Sequence, residues 1–145
     1  MRVARMLTAV AVAWVVAMAL TVAPKAQGQM MTDEDYDKLM KSVGQTAGSL
    51  RKNLEGSMAD GIAADAKKMA DLMKSNQTFW TQRKNQEAAD WAKGAMDHAM
   101  AIEKAVAAKD MAGAADHQKQ LGATCQTCHM KYRDKAADGT YMIKK

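Results

Sequence analysis

The stretch CQTCHMKYRD, residues 125 to 134, holds both cysteines of the chain, Cys125 and Cys128, and His129 follows the second directly. Residues three apart on a helical turn present their side chains along one side, so the two thiols face the same way. Cys-x-x-Cys-His is the attachment signal for c-type haem. Two thiols on one side can add to two vinyl groups on one porphyrin edge, and the next residue swings its imidazole under the ring as proximal iron ligand. Other chemistries use the same residue types: a disulfide between the cysteines, half of a zinc site, or a thioredoxin-like redox pair. A closed zinc site needs four ligands, and the other strong donors, His98 and His117, stand at no finger-like spacing. A redox pair normally opens a helix after a strand, whereas this pair sits deep within a helical pattern.

The elements that must position these residues read as helices. From Thr32 onward the chain has no proline, and Ala, Met, Lys, Asp and Gln dominate it. Thr32, with Asp35 three residues on, can cap a first helix over about 33 to 55, whose apolar residues Tyr36, Leu39, Met40, Val43, Ala47, Leu50 and Leu54 recur at threes and fours. Gly56 and Gly61 bracket a break, after which Ile62, Ala66, Met69, Leu72 and Met73 define a shorter helix ending near Asn76. Residues 75 to 86 then read as the longest polar loop. A third helix over about 85 to 108 carries Trp91, Ala95, His98, Ile102 and Val106 on one face. Asp110 suits the cap of a fourth, over about 111 to 135, on which Leu121, Cys125, Cys128 and Tyr132 share the buried face. Residues 136 to 145 read as a loose tail. No strand pattern, internal repeat or low-complexity tract stands out. The fold expected is all-α, an antiparallel up-down-up-down four-helix bundle about 25 to 35 Å long.

The chain of 145 residues has room for one modest domain. Arg2 and Arg5 precede an uncharged stretch from Met6 to Ala23, the pattern of an export signal, with cleavage expected after Gly28 or alternatively after Ala26. An uncleaved anchor is the other reading of that stretch, and either way the domain is expected outside the cytoplasm, in the periplasm. The domains expected are thus a signal peptide, 1–28, and a helical haem domain, 29–145. Residues 1–28 hold three of the 21 basic residues and none of the 16 acidic ones, so the net charge of +5 falls to 18 minus 16, or +2. A nearly neutral domain without a basic stripe argues against nucleic acid.

A single Cys-x-x-Cys-His near the end of the last helix of an exported four-helix domain resembles the cytochrome c-prime family. CHMKYR is similar to that family's proximal segment, with Tyr132 and Arg133 in the matching places, and MKSVGQTAGSL, residues 40 to 50, is similar to its distal stretch. The resemblance spans nearly all of residues 32 to 135. It implies that Met40 stands over the open haem face, where some members bring a methionine sulfur onto the iron and others only block it. Where members often carry an arginine four residues earlier, this chain has Tyr36. The resemblance also implies a homodimer packed through the first two helices.

Thioether ligation by Met40 would give six-coordinate, low-spin iron suited to electron transfer, and an unligated Met40 would leave the iron open to nitric oxide or carbon monoxide. The function expected is one-electron transfer through a single haem c with an unidentified redox partner protein, and gas binding is the alternative. No catalytic triad or carboxylate pair points to an enzyme. Arg133, one turn beyond His129, is placed to meet a propionate. His98 is the rival sixth ligand, more simply a partly buried, hydrogen-bonded histidine. His117, twelve residues before His129 and so about 18 Å along the helix, cannot reach the same iron and reads as surface or interface. Trp80 and Trp91 are expected to pack, including against the macrocycle.

Overall fold

The computed structural model describes residues 30–137 and 141–144. The expected signal peptide, 1–28, lies outside the described residues. Four helices follow in order, α1 (Asp33–Glu55), α2 (Ala59–Gln82), α3 (Gln86–Ala107) and α4 (Met111–Tyr132), then a short hairpin of β1 (Arg133–Lys135) and β2 (Tyr141–Ile143). Consecutive helices pack against one another along the bundle, as an antiparallel four-helix architecture requires. Among the described residues no helix is long and apolar enough to cross a membrane.

The three connections between helices share one construction. Ser57, Lys84 and Lys109 each adopt a left-handed backbone, with φ of 51°, 58° and 60°. Around each, the residue after it donates its N–H five residues back, Met58 to Asn53, Asn85 to Trp80 and Asp110 to Ala105, while the left-handed residue itself donates three back. This is the Schellman closure, which satisfies carbonyls that a helix end would otherwise leave bare. In two of the turns the closing residue also starts the next helix: Asn85 Oδ1 accepts from Ala88 N at 3.1 Å and Asp110 Oδ1 from Gly113 N at 2.8 Å. Thr32 caps α1 as expected, accepting from Asp35 N at 3.1 Å.

Several boundaries differ from the sequence expectation. The helix after Gly56 starts at Ala59, so Gly61 lies in its first turn rather than at a break. A side chain there is excluded by close approach, since an added Cβ would stand 2.7 Å from Asn53 Nδ2, which donates to Asp65 at 2.7 Å. Residues 75 to 82 are helix, not loop, because Phe79 and Trp80 continue the buried stripe of Met69, Met73 and Asn76. A polar residue at position 76 disguised that continuation. The fourth helix stops at Tyr132, and part of the expected tail pairs as an antiparallel hairpin with Arg133 opposite Ile143. Asp138-Gly139, a dipeptide favoured in hairpin turns, was the signal available for it; those two residues lie outside the described ones.

Two apolar clusters fill the bundle. One joins Val43, Leu50, Ile62, Met69, Ile102 and Leu121 through its body. The other groups Tyr36, Phe79, Trp80, Ala88 and Ala89 at the end where α1 begins and α4 finishes. Full burial of a side chain such as Ile62, Phe79 or Ile102 stabilises by about 1.5–3 kcal/mol. The helices contribute unequally: α2 and α3 bury seven residues each, but α4 buries only Ala114 and Leu121. Neighbouring α1 and α4 touch at few points. The bundle is therefore tight around α2 and α3 and slack along the seam between its first and last helices.

Candidate functional site

A cleft opens along that slack seam. Its lining comes from all four helices, with Met40 on α1, Asn76 on α2, Trp91 on α3, and Cys125, Cys128 and His129 on α4 among its residues. The void it encloses is small, about 20 Å³. On α3 the wall is Trp91 together with Ala92 and Ala95. The cysteines and His129 stand at i, i+3 and i+4, on one face of α4, and that face is half-buried.

The electrostatics keep these groups uncharged. Burial pushes the Cys125 thiol up and takes the Cys128 thiol to about 11, the latter helped by the nearness of Cys125 and Glu87. Burial, then the Arg133 charge, lowers His129, so at neutral pH its imidazole holds an unprotonated nitrogen able to bind a metal. Both cysteines are free thiols. Among the described residues no group of three or more His, Cys, Asp and Glu side chains is arranged as a metal cage.

Tyr36, one helical turn before Met40, is buried. Its ring stacks on Phe79 with centroids 3.9 Å apart, its hydroxyl accepts from Trp80 Nε1 at 3.0 Å, and it forms one end of the cleft. Trp91 lines the cleft, whereas Trp80 packs in the terminal cluster with its ring 5.1 Å from Tyr132. Tyr132 does not line the cleft. Its hydroxyl lies 2.8 Å from the Glu87 carboxylate and 3.2 Å from Asn85 Oδ1, and Lys131 Nζ reaches the same carboxylate at 2.5 Å. Together Lys131 and Tyr132 clip the end of α4 to the start of α3.

Arg133 caps α4, its backbone N–H donating to the His129 carbonyl one turn back, and β1 begins there. Its guanidinium lies 4.2 Å from the centroid of the Tyr141 ring. It borders a second, more open cleft with Cys125, His129, Lys135 and Lys144, on the outer side of α4. His98 and His117 face each other across α3 and α4 with Nδ1 atoms 3.4 Å apart, and neither lines the first cleft. His98 is thus a partly buried, hydrogen-bonded histidine, and His117 is its partner rather than a bare surface residue.

Sequence reasoning passed over Asn76. It is 6 % exposed, its Nδ2 has only the weak acceptor Met73 Sδ at 3.8 Å, and its Oδ1 is buried with no partner. Such an orphan costs about 1–3 kcal/mol. Thr46 Oγ1 is also buried without a partner, but Thr46 does not line the cleft. The signal available is a lone polar residue on the apolar stripe of α2, where the sequence pattern alone places the end of the helix.

A comparison of the chain with known protein families, curated proteins and solved structures finds no match.

Proposed function

We propose that this chain is an exported mono-haem c-type cytochrome of the cytochrome c-prime type, which holds one covalent haem between α1 and α4 and passes single electrons to and from a redox partner protein. The observation that carries this reading is the convergence of Cys125, Cys128 and His129 on a cleft whose α1 wall bears Met40. Three further features fit such a group. The cysteines are free, the motif face of α4 is only half-buried, and the cleft holds a buried amide oxygen with nothing to bond.

When bound, the haem supplies an iron that cycles between ferric and ferrous states. Cys125 and Cys128 would tether it through their sulfurs, His129, held neutral, would offer its nitrogen lone pair to the metal, and Met40 would either add its sulfur or shield the position. The apolar walls would limit water, which raises the cost of charge on the metal.

A second reading, binding of nitric oxide or carbon monoxide on an open face with Met40 off the iron, is favoured by the unpartnered Asn76 amide in the same cleft.

Mass and absorption spectra test the reading together. Protein secreted from cells with intact haem-attachment machinery is expected to carry the added mass of one haem and a Soret band, and its ferric and ferrous spectra will report whether sulfur is bound. Colourless protein of bare polypeptide mass overturns it.

A further inference from the structure

His98 on α3 and His117 on α4 meet across the two helices with their Nδ1 atoms 3.4 Å apart and their ring centroids 5.6 Å apart. Neither ring makes another hydrogen bond among the described residues. Each stands on the packed stripe of its helix, His98 between buried Ala95 and Ile102, His117 between buried Ala114 and Leu121. An apolar residue at either place would pack there with no polar atom to satisfy. Both histidines are half-buried, so the helices hold the pair in place while water still reaches it. The pair belongs to neither cleft: His117 lies about 18 Å along α4 from His129, and neither histidine lines either cleft.

The geometry points to a divalent transition-metal site, zinc above all, made by His98 Nδ1 and His117 Nδ1. Two imidazole nitrogens on one tetrahedral zinc ion, each about 2.0–2.1 Å from it, stand about 3.3–3.4 Å apart, which is the separation of this pair. Right-angled ligation of the kind copper(II) prefers would bring them to about 2.8–3.0 Å. Without the ion, one nitrogen carries a hydrogen and donates it to the lone pair of the other. On binding, that hydrogen moves to Nε2 of the same ring and both Nδ1 lone pairs turn to the metal, so two neutral rings give up no proton in the exchange. Asp97 and Asp116, next to the histidines in sequence, are engaged with Lys93 and Lys119. Among the described residues no third His, Cys, Asp or Glu completes the set. The remaining positions on the ion fall to water, which makes this an exchangeable site on the flank of the bundle rather than a closed structural one. None of the residues in the haem reading takes part, so the pair stands or falls on its own.

The probe is zinc chloride added to the full secreted protein, compared between wild type, His98→Gln and His117→Gln; glutamine keeps a polar side chain of similar reach and removes one imidazole. Calorimetry is expected to find zinc binding in wild type that weakens about 10–100-fold in either variant, a loss that even a disturbed partner of a metal ligand brings. Zinc should raise the thermal unfolding midpoint of wild type and not that of the variants, because an ion held only by the folded pair stabilises it. Ring nitrogen NMR should show zinc shifting the Nδ1 signals of His98 and His117. All three proteins keep Cys125, Cys128 and His129, so zinc held by that motif cancels in the comparison. A merely structural hydrogen bond between the rings would lower the midpoint of the variants with or without zinc and leave metal binding unchanged. Wild type with no affinity for zinc better than about 1 mM overturns the proposal, as does equal affinity in wild type and whichever variant folds, since the ion then sits elsewhere.

Discussion

Trp80 donates its indole N–H to the Tyr36 hydroxyl at 3.0 Å, and both groups are buried where α1 begins and α2 ends. The bond ties together two helices at the rim of the cleft, and Phe79 stacks on the same phenol ring. Tyr36→Phe keeps the stack and removes the acceptor, leaving a buried N–H unpaired. Unfolding in urea is expected to show a loss of about 1–3 kcal/mol. A variant as stable as wild type would mean that the indole finds another partner.

The same phenol titrates far above its usual range, chiefly because burial disfavours the phenolate, with Cys128 adding to the rise and the Trp80 hydrogen bond opposing it. Its ordinary value in the unfolded chain is about 10. A folded value raised above the unfolded one gives stability that is complete below about pH 10 and lost as pH climbs toward the folded value. The free-energy gap between wild type and Tyr36→Phe should therefore narrow above about pH 10. An ultraviolet titration checks the same point, because the native difference spectrum between the two proteins should show no phenolate step near pH 10.

Lys109 holds a left-handed backbone, φ 60°, between α3 and α4, and nothing in the turn requires its side chain. Left-handed geometry costs an L-residue about 1–2 kcal/mol, and glycine avoids that while giving up part of the gain to its looser unfolded state. Lys109→Gly is expected to stabilise by about 0.5–1 kcal/mol, read as a rise in the urea midpoint with unchanged slope. A fall in the midpoint would show that the lysine contributes something beyond its backbone.

Much of this architecture was legible in the sequence because helix caps and apolar stripes are local signals. Thr32 and Asp110 mark helix starts, and the spacing from Tyr36 to Leu54 fixes the buried face of α1. The motif residues too were found from their types and order, since Cys-x-x-Cys-His is read within five positions. What escaped depended on tertiary context. Asn76 carries a polar side chain on an apolar stripe, and only its burial beside the cleft gives that placement a meaning. The hairpin pairs Arg133 with Ile143 across a gap in sequence, and that pairing ends α4 earlier than the helical pattern alone predicts. Ser57, Lys84 and Lys109 give no glycine to announce the left-handed turns they make.

The slack seam between α1 and α4 leads to a last expectation. Buried apolar contacts set local resistance to opening, and here they concentrate on α2 and α3 while the final turns of α4 bury nothing beyond Leu121. A bound group that bridges α1 and α4 adds contacts to the folded state alone and must raise the cost of opening that seam. Amide hydrogen exchange should thus differ between haem-loaded wild type and the thiol-free variant Cys125→Ser/Cys128→Ser. Residues 123–132 and 36–43 are expected to exchange about tenfold faster in the variant, whereas the amides around Met69 and Ile102 should change less, because α2 and α3 hold most of the buried residues. Equal protection of the seam in both proteins would mean that nothing bridges the two helices, however well the motif residues are placed.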